Sequence, residues 1–351
     1  MEEGNFMTTL NTYTYKRTLL SFGLALTLLG SQVSLATLYA ESASNSADIS
    51  QVQAGATIEV QDLHGTILVP FQPSRVVALD NRTFETLSDW GIELVAAPKD
   101  IMPTDSPYVQ SDDVLNIGNH REPNLELLAA ADPELVIVGQ RFAAYYEEIK
   151  ALVPNAAVID FSWAVSDTAE TPGENLINGF KTSTNSLAQI FGKEQEAAFL
   201  LEHLETALKD AKTAYNGQNT ILSVIVSSGE IGFSAPHSGR VWGPLYELFD
   251  WQAGLALDTN TSDHTGDDIS VEAIAQSNPD WLLILDRDAA ITSDGDTATP
   301  ATDVIEHAAA LQNTTAIQKG QLIYAPADTY TNESIQTYIE LFESITAAFS
   351  E

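Results

Sequence analysis

The sequence predicts an α/β protein in which two Rossmann-like lobes with mostly parallel sheets are joined by one long connecting helix, with a ligand cleft between the lobes. The chain has 351 residues, more than the roughly 100 to 200 residues of a usual single domain. Short apolar runs alternate with helical stretches in both halves, which is typical of βαβ units and parallel sheets. Between the halves, apolar residues keep helical spacing over residues 193–215, which predicts the connecting helix.

The composition excludes several classes of protein. Hydrophobic residues make up 44% of the chain and charged residues 18%, so it can bury real cores and is not disordered throughout. There are 15 Lys and Arg against 49 Asp and Glu, a net charge of −34, which excludes sequence-independent nucleic-acid binding. The chain has no cysteine, which excludes disulfides, thiolate metal sites and the lipidated cysteine of a bacterial lipoprotein.

Residues 1–40 predict a secretory signal peptide. Lys16 and Arg17 precede an apolar run over 19–29, and small-residue cleavage sites end at Ala36 and Ala40. The run is much shorter than the roughly 20 residues of a membrane-spanning helix. We therefore expect a periplasmic mature chain that is neither inserted in a membrane nor anchored as a lipoprotein.

The remaining chain divides into four predicted parts. Residues 41–55 are small and polar and predict a flexible leader. An N-terminal lobe follows at 56–190, a connecting helix at 191–216 and a C-terminal lobe at 217–351. The first lobe opens with a predicted hairpin. The strands predicted after it cover residues 76–79, 94–97, 135–138, 157–159, 221–226, 281–285 and 322–324.

An internal repeat places an arginine at an equivalent position in each lobe. Residues 124–141 align without gaps to residues 270–287. Each copy reads as a capped short helix, a proline that ends it and a buried strand, followed by Arg141 or Arg287. Ligands bind at the carboxyl ends of the strands in open α/β sheets, so we expect both arginines to face one cleft.

Arg240 is a third candidate in the cleft. Residues 41–351 contain six arginines, and Arg240 follows the Gly- and Ser-containing stretch 231–239, which has little other reason to hold a cation. The alternative for each of the three arginines is a surface ion pair with one of the many carboxylates.

Short motifs along nearly all of the mature chain resemble one known family. They are PSRVVALD at 73–80, NLELL at 124–128, DPELV at 132–136, FGKE at 191–194, NPD at 278–280 and LDR at 285–287. On these motifs the chain resembles the periplasmic substrate-binding proteins of ferric-siderophore ABC transporters. This is the helix-linked class, which also contains vitamin B12 and haem binders. The resemblance is closest to the branch that takes up catecholate siderophores, including petrobactin-type and enterobactin-derived ligands.

The resemblance implies a ligand site. Arg141, Arg240 and Arg287 match a basic triad around the iron-bound catecholate oxygens. His264 matches a histidine that can ligate iron, and Tyr330 matches its partner tyrosine. A siderophore with four donor atoms leaves two positions open on six-coordinate iron, which imidazole and phenolate can fill.

Two of these assignments have alternatives. The interval between the strand at 322–324 and Tyr330 is one residue shorter than in the family, so Tyr324 is a second candidate phenol. Tyr330 can also be an ordinary half-buried packing residue. His264 lies among aspartates and can be a solvated loop histidine.

The resemblance also implies a membrane partner. Glu126 and Glu272 occupy equivalent repeat positions, and the family uses one carboxylate on each lobe to dock on an ABC permease dimer. The alternative role for both is electrostatic stabilisation of a helix N-terminus. We expect a monomer without an intrinsic cofactor, in which Fe(III) arrives as part of the siderophore.

Other functions remain as alternatives. The cargo could be a hydroxamate, citrate, haem or cobalamin complex with the same fold and transport role. An extracytoplasmic α/β enzyme is disfavoured because the sequence has no Gly-x-Ser-x-Gly elbow, phosphate loop or His-Glu-x-x-His site. A free zinc or manganese binder is disfavoured because the six histidines are scattered. The acidic stretch at 292–303 lacks the ligand register of a calcium loop.

Overall fold

The computed structural model describes residues 56–166, 169–256, 265–291 and 298–350. The predicted signal peptide, the predicted leader, His264 and part of the acidic stretch at 292–303 lie outside the described residues. Among the helices that are described, none is both long enough and apolar enough to cross a membrane.

A β-hairpin begins the described chain. Strands β1 (Thr57–Asp62) and β2 (Gly65–Pro70) pair antiparallel, as the alternating pattern predicts. Gly65 has a φ of 124°, a conformation that a side chain would disfavour, so glycine suits the turn. The backbone N–H of Leu63 donates to the carbonyl of Asp160 at 3.1 Å, which attaches the hairpin turn to the first lobe.

The N-terminal lobe contains a five-stranded parallel sheet. Its strand order is β5-β4-β3-β6-β7. The strands are β3 (Val76–Ala78), β4 (Leu94–Ala97), β5 (Leu115–Asn116), β6 (Leu135–Val138) and β7 (Ala157–Asp160). The helices are α1 (Phe84–Asp89), α2 (Pro107–Gln110), α3 (Leu125–Ala130) and α4 (Tyr146–Leu152). All residues of β3 and β6 are buried, as expected for parallel strands covered on both faces.

The C-terminal lobe repeats this architecture. Its sheet has the order β10-β8-β11-β12 in parallel, and β9 pairs antiparallel with β8. The strands are β8 (Thr220–Ser227), β9 (Glu230–Ser234), β10 (Gln252–Ala253), β11 (Trp281–Asp286) and β12 (Leu322–Tyr324). The helices of this lobe are α7 (Gly243–Phe249), α8 (Val271–Ser277), α9 (Arg287–Ile291), α10 (Ala301–His307), α11 (Thr315–Lys319) and α12 (Ile335–Ser350). Helices α5 (Pro172–Phe191) and α6 (Glu194–Ala214) precede them in the sequence and connect the two lobes. The strands predicted for both lobes are confirmed.

Two long helices follow the first sheet and precede the second in the sequence. They are α5 (Pro172–Phe191) and α6 (Glu194–Ala214). In the first half of α5, Leu176 and Phe180 pack in the core of the second lobe, and near its end Leu187 packs in the core of the first. Helix α6 also contributes to both cores. The helix predicted at 193–215 is α6, and α5 is a second connection between the cores. The lobe limits at 190 and 216 stay a prediction.

The indole of Trp163 packs where the first sheet leads into α5. A Cβ on Gly179 of α5 would lie 2.3 Å from the Trp163 ring, so only glycine allows this approach. The guanidinium of Arg82 lies 4.2 Å from the ring centroid on Trp163, a cation–π distance. Phe180 meets the same indole edge-on at 5.6 Å. The loop after β3 that carries Arg82 is thereby packed against the connecting helix.

Candidate ligand-binding site

The three predicted arginines come together around Tyr330. Arg141 follows β6, Arg287 begins α9 directly after β11, and Arg240 lies in the loop between β9 and α7. Nη2 of Arg141 and Nη2 of Arg240 donate to the backbone carbonyl of Tyr330 at 3.0 and 3.4 Å. The guanidinium carbons of Arg240 and Arg287 lie 4.4 and 5.2 Å from the centroid of the Tyr330 ring. Arg141 and Arg287, which the repeat places at one cleft, therefore both lie at Tyr330, and Arg240 lies beside them.

The phenol beside the arginines belongs to Tyr330. It lies in the segment between β12 and α12, and its side chain is buried in the core of the second lobe. Tyr324 lies within β12 and packs against a different cluster of the same lobe. Burial, with smaller contributions from nearby carboxylates, raises the pKa of Tyr324 to about 12, so this phenol stays neutral at physiological pH.

Local contacts fix Arg287 at the strand ends. Its Nη1 donates to the hydroxyl of Ser227 at 3.0 Å, and Ser227 is the last residue of β8. The carboxylate of Asp288 lies 3.8 Å from the same Nη1. Because β8 and β11 are parallel neighbours, their carboxyl ends present the guanidinium at one edge of the sheet.

Arg240 is held by a compact loop. The carbonyl of Arg240 accepts a hydrogen bond from the hydroxyl of Ser234 at 3.3 Å. A Cβ on the preceding Gly239 would lie 2.5 Å from the carbonyl oxygen of Ala235, so glycine is required for the loop to close. The Gly- and Ser-containing composition noted in the sequence is therefore what positions this arginine.

A cavity of about 400 Å³ opens beside Tyr330, and Arg141 and Arg287 line it. Further lining residues come from loops of the first lobe, among them Lys99, His120 and Arg121. Ile101, Met102, Val109 and Ile291 add apolar surface. Arg240 is not a lining residue, since it packs against Tyr330 instead. The cavity therefore has a basic wall and an apolar wall, which suits an anionic ligand with aromatic groups.

Sequence reasoning missed Glu333, the carboxylate at the centre of the arginine cluster. Its oxygens lie 2.5 Å from Arg240, 3.4 Å from Arg82 and 3.6 Å from Arg141, and they accept a hydrogen bond from the Gln140 amide at 3.0 Å. Burial opposes the charged form, but the three guanidiniums outweigh it and lower the pKa of Glu333 to about 2. Neither Glu333 nor Arg82 lies in the repeat, and the sequence gives no sign that they meet.

A second buried carboxyl, that of Asp80, lies beside the cluster. Its Oδ1 accepts from the backbone N–H of Arg82 at 3.2 Å, and its side chain packs against Gly139. Burial, with repulsion from Glu333 and Asp160, raises the pKa of Asp80 to about 7 against the attraction of Arg82. The protonated form of Asp80 is therefore well populated near neutral pH.

The structure also describes both predicted docking glutamates. Glu126 and Glu272 are exposed in the first turns of α3 and α8. The side chains of Asn124 and Ser270 cap these two helices at 3.0 and 3.2 Å, as the repeat predicts. The two glutamates therefore have equivalent positions in the two lobes. His264 lies outside the described residues.

Comparison with known proteins shows the family. The sequence profile of the periplasmic binding proteins matches residues 76–329. The chain belongs to this family. The match includes both five-stranded sheets, both long helices and the four arginines of the cluster, and it ends before Tyr330 and Glu333.

Two relatives and one solved structure are similar to the chain. Petrobactin-binding protein YclQ of Bacillus subtilis is 28% identical over 274 residues, which cover 77% of this chain and 79% of YclQ. Ferric-anguibactin-binding protein FatB of Vibrio anguillarum is 26% identical over 270 residues, 76% of this chain and 79% of FatB. The structure of the siderophore-binding protein BauB with acinetobactin and ferric iron has a TM-score of 0.72 at 24% identity. The structural match covers 84% of this chain and all of BauB, and it shows that the two proteins share a fold.

Proposed function

We propose that this protein binds a ferric catecholate siderophore in the periplasm and delivers it to an inner-membrane ABC permease. The observation that carries the proposal is the convergence of Arg141, Arg240 and Arg287 on Tyr330. Membership in a family of binding proteins favours a transport role over an enzymatic one. YclQ is named as a petrobactin-binding protein and FatB as a ferric-anguibactin-binding protein, which supports this class of cargo.

The chemistry of the cluster suits catecholate oxygens. Ferric iron in a catecholate shell is surrounded by anionic oxygen atoms in pairs. A guanidinium stays charged, is weakly hydrated and donates through a planar fork that matches such pairs, whereas an ammonium acts as a point charge. At about 4 Å and an effective dielectric near 20, each contact contributes on the order of 4 kcal/mol before desolvation. Contacts of this size are sufficient for tight binding without a covalent step.

Direct contact with iron is a further part of the proposal. Tyr330 lines the cavity, and His264 is the imidazole that the family resemblance assigns to iron. Phenolate oxygen is a favourable ligand for Fe(III). The iron is cargo that arrives with its chelator, so no resident cofactor is required.

Delivery would use the two exposed helix starts. Glu126 and Glu272 carry carboxylates at equivalent places on the two lobes, and such a pair suits docking on the two subunits of a permease. Their contribution to helix N-terminal electrostatics is compatible with docking. We expect the mature protein to act as a monomer.

A ligand titration tests the proposal. Quenching of tryptophan fluorescence is measured with a ferric catecholate, a ferric hydroxamate, ferric citrate and ferric salt. We expect a submicromolar response to the catecholate alone. A stronger response to the hydroxamate or to citrate would contradict the catecholate specificity and would remain consistent with a transport role for another iron chelate. No response to any iron complex would contradict the proposed function.

The same titration separates iron ligation from binding. A charge-transfer band in the visible spectrum reports a protein ligand on iron. We expect His264→Ala and Tyr330→Phe each to shift this band. An unchanged band in both variants would contradict direct ligation while the binding of the chelate stands.

A further inference from the structure

Glu333 connects charged groups from both lobes. Arg82, Gln140 and Arg141 belong to the first sheet's loops, and Arg240 and Glu333 belong to the second lobe. The Glu333 carboxylate contacts all four of these partners within 3.6 Å. Its side chain is only 7% exposed, and that of Arg82 only 2%. A carboxylate of the protein thus lies among the arginines, where the proposed ligand would bring its own anionic oxygens.

The surrounding contacts keep this carboxylate in place. The amide of Asn81 donates to the carbonyl of Thr331 at 3.0 Å, and the amide of Asn332 donates to Glu85 at 2.9 Å. These contacts join the segment before Glu333 to the start of α1. Glu333 is therefore a fixed part of the cluster rather than a solvated loop carboxylate.

We propose that Glu333 sets the charge selectivity of the cleft, by reducing the positive charge of the arginine cluster so that highly negative chelates are disfavoured relative to less negative ones. The inference rests on the proposed function, because it concerns which chelate that site prefers. It assigns a specificity role to a residue that binds the arginines and not the iron.

The electrostatics give the size of the effect. With an effective dielectric near 20, a unit charge about 10 Å from the ligand changes affinity on the order of tenfold for each unit of ligand charge. A ferric tris-catecholate is a trianion and a ferric bis-catecholate is a monoanion. The affinity ratio of these two probes therefore reports the charge of the cluster, because an added positive charge favours the trianion. Loss of arginine positioning would instead weaken both probes, and the trianion more than the monoanion.

Three variants form a matched series, in which two change the cluster charge and the third restores it. Glu333→Gln makes the cluster one unit more positive and replaces the carboxylate by an amide that can still form hydrogen bonds. Arg82→Gln makes it one unit less positive. The double variant R82Q/E333Q restores the wild-type charge without the ion pair. Glu205→Gln, which removes an exposed carboxylate paired with Lys181 at 2.8 Å, controls for the net charge of the whole protein.

The affinity ratio is measured for the two ferric probes by fluorescence titration. Relative to wild type, we expect E333Q to shift the ratio towards the trianion by on the order of a hundredfold, because the two probes differ by two charge units. R82Q should shift it towards the monoanion, and the double variant and E205Q should match wild type. A ratio in E333Q that is unchanged or shifted towards the monoanion, with both affinities lowered, would show that Glu333 only positions the arginines and would overturn the proposal.

Two further comparisons distinguish failure of this inference from failure of the variant to fold and from failure of the proposed function. If E333Q does not fold, the comparison of wild type with R82Q decides, and an unchanged ratio there overturns the proposal. If wild type binds no iron chelate, the proposed function fails but the charge effect is still measurable with citrate and acetate. Citrate should then raise the thermal midpoint more in E333Q than in wild type, and acetate should not. Equal midpoint shifts for citrate in both proteins would overturn the inference.

Discussion

Arg141 and Arg240 come from opposite lobes and donate to the same backbone carbonyl, that of Tyr330. Both also contact the Glu333 carboxylate. Two guanidiniums would repel each other at this range in a poorly hydrated site. Burial, with repulsion from Arg240 and Arg82, lowers the pKa of Arg141 below its ordinary value against the attraction of Glu333. The shared carbonyl and carboxylate therefore make the close approach possible.

Replacing Arg287 by lysine tests whether the geometry of the guanidinium matters. Arg287 lines the cavity and does not contact Glu333 within the described ion pairs. Arg287→Lys keeps the charge and loses the planar fork, so we expect ferric catecholate affinity to fall by roughly tenfold. Arg75→Lys, at an exposed site next to Asp132, is the control and should bind like wild type. Unchanged affinity in Arg287→Lys would remove this residue from the site.

The pH dependence of stability should reveal Asp80. Its pKa is raised from 3.8 to about 7, so the folded state favours the protonated form. This contribution to stability is fully present below about pH 4 and is lost as pH rises towards about 7, with a slope of up to about 1.4 kcal/mol per pH unit. In Asp80→Asn this part of the slope should vanish. Urea unfolding from pH 4 to pH 8 measures both, and identical slopes would contradict the shifted pKa.

Helix α5 should not tolerate a side chain at Gly179. Alanine would normally favour a helix by about 1 kcal/mol, but here its Cβ would meet the Trp163 ring at 2.3 Å. We expect Gly179→Ala to destabilise the protein by about 1 to 3 kcal/mol. Chemical unfolding measures the change, and Thr206→Ala on the exposed face of α6 is the control. A Gly179→Ala variant as stable as wild type would show that the indole does not pack there.

The two exposed glutamates should affect transport and not binding. We expect Glu126→Ala and Glu272→Ala to bind ferric catecholate within about twofold of wild type, since both lie outside the cavity. The loss of helix N-terminal charge should cost about 0.3 to 1 kcal/mol each. Uptake into vesicles that contain the cognate permease should fall in each variant and further in the double. Full uptake with the double variant would contradict docking through these residues.

Much of the fold could be predicted because its signals are local. Buried parallel strands appear as short apolar runs, and the repeat gives Arg141 and Arg287 the same place after a strand. Helix α5 was missed because Gly173, Gly179 and several Ser and Thr residues weaken its helical pattern. Its stability comes from packing on both cores, which a local pattern does not show.

The centre of the site could not be predicted for a related reason. Arg82 and Glu333 are 251 residues apart in the chain, and no periodicity connects them. The repeat identified arginines that the two lobes share, whereas this ion pair is formed only when the lobes come together. Glu333 also lies outside all the short motifs that resemble the family, so only the folded structure shows its place in the site.

A crystal structure with bound ferric catecholate tests the central claim most directly. We predict the chelate in the cavity beside Tyr330, with its anionic oxygens within about 3 Å of guanidinium nitrogens from both lobes. A chelate bound elsewhere on the protein, with Arg141 and Arg287 still paired only to protein groups, would contradict the account.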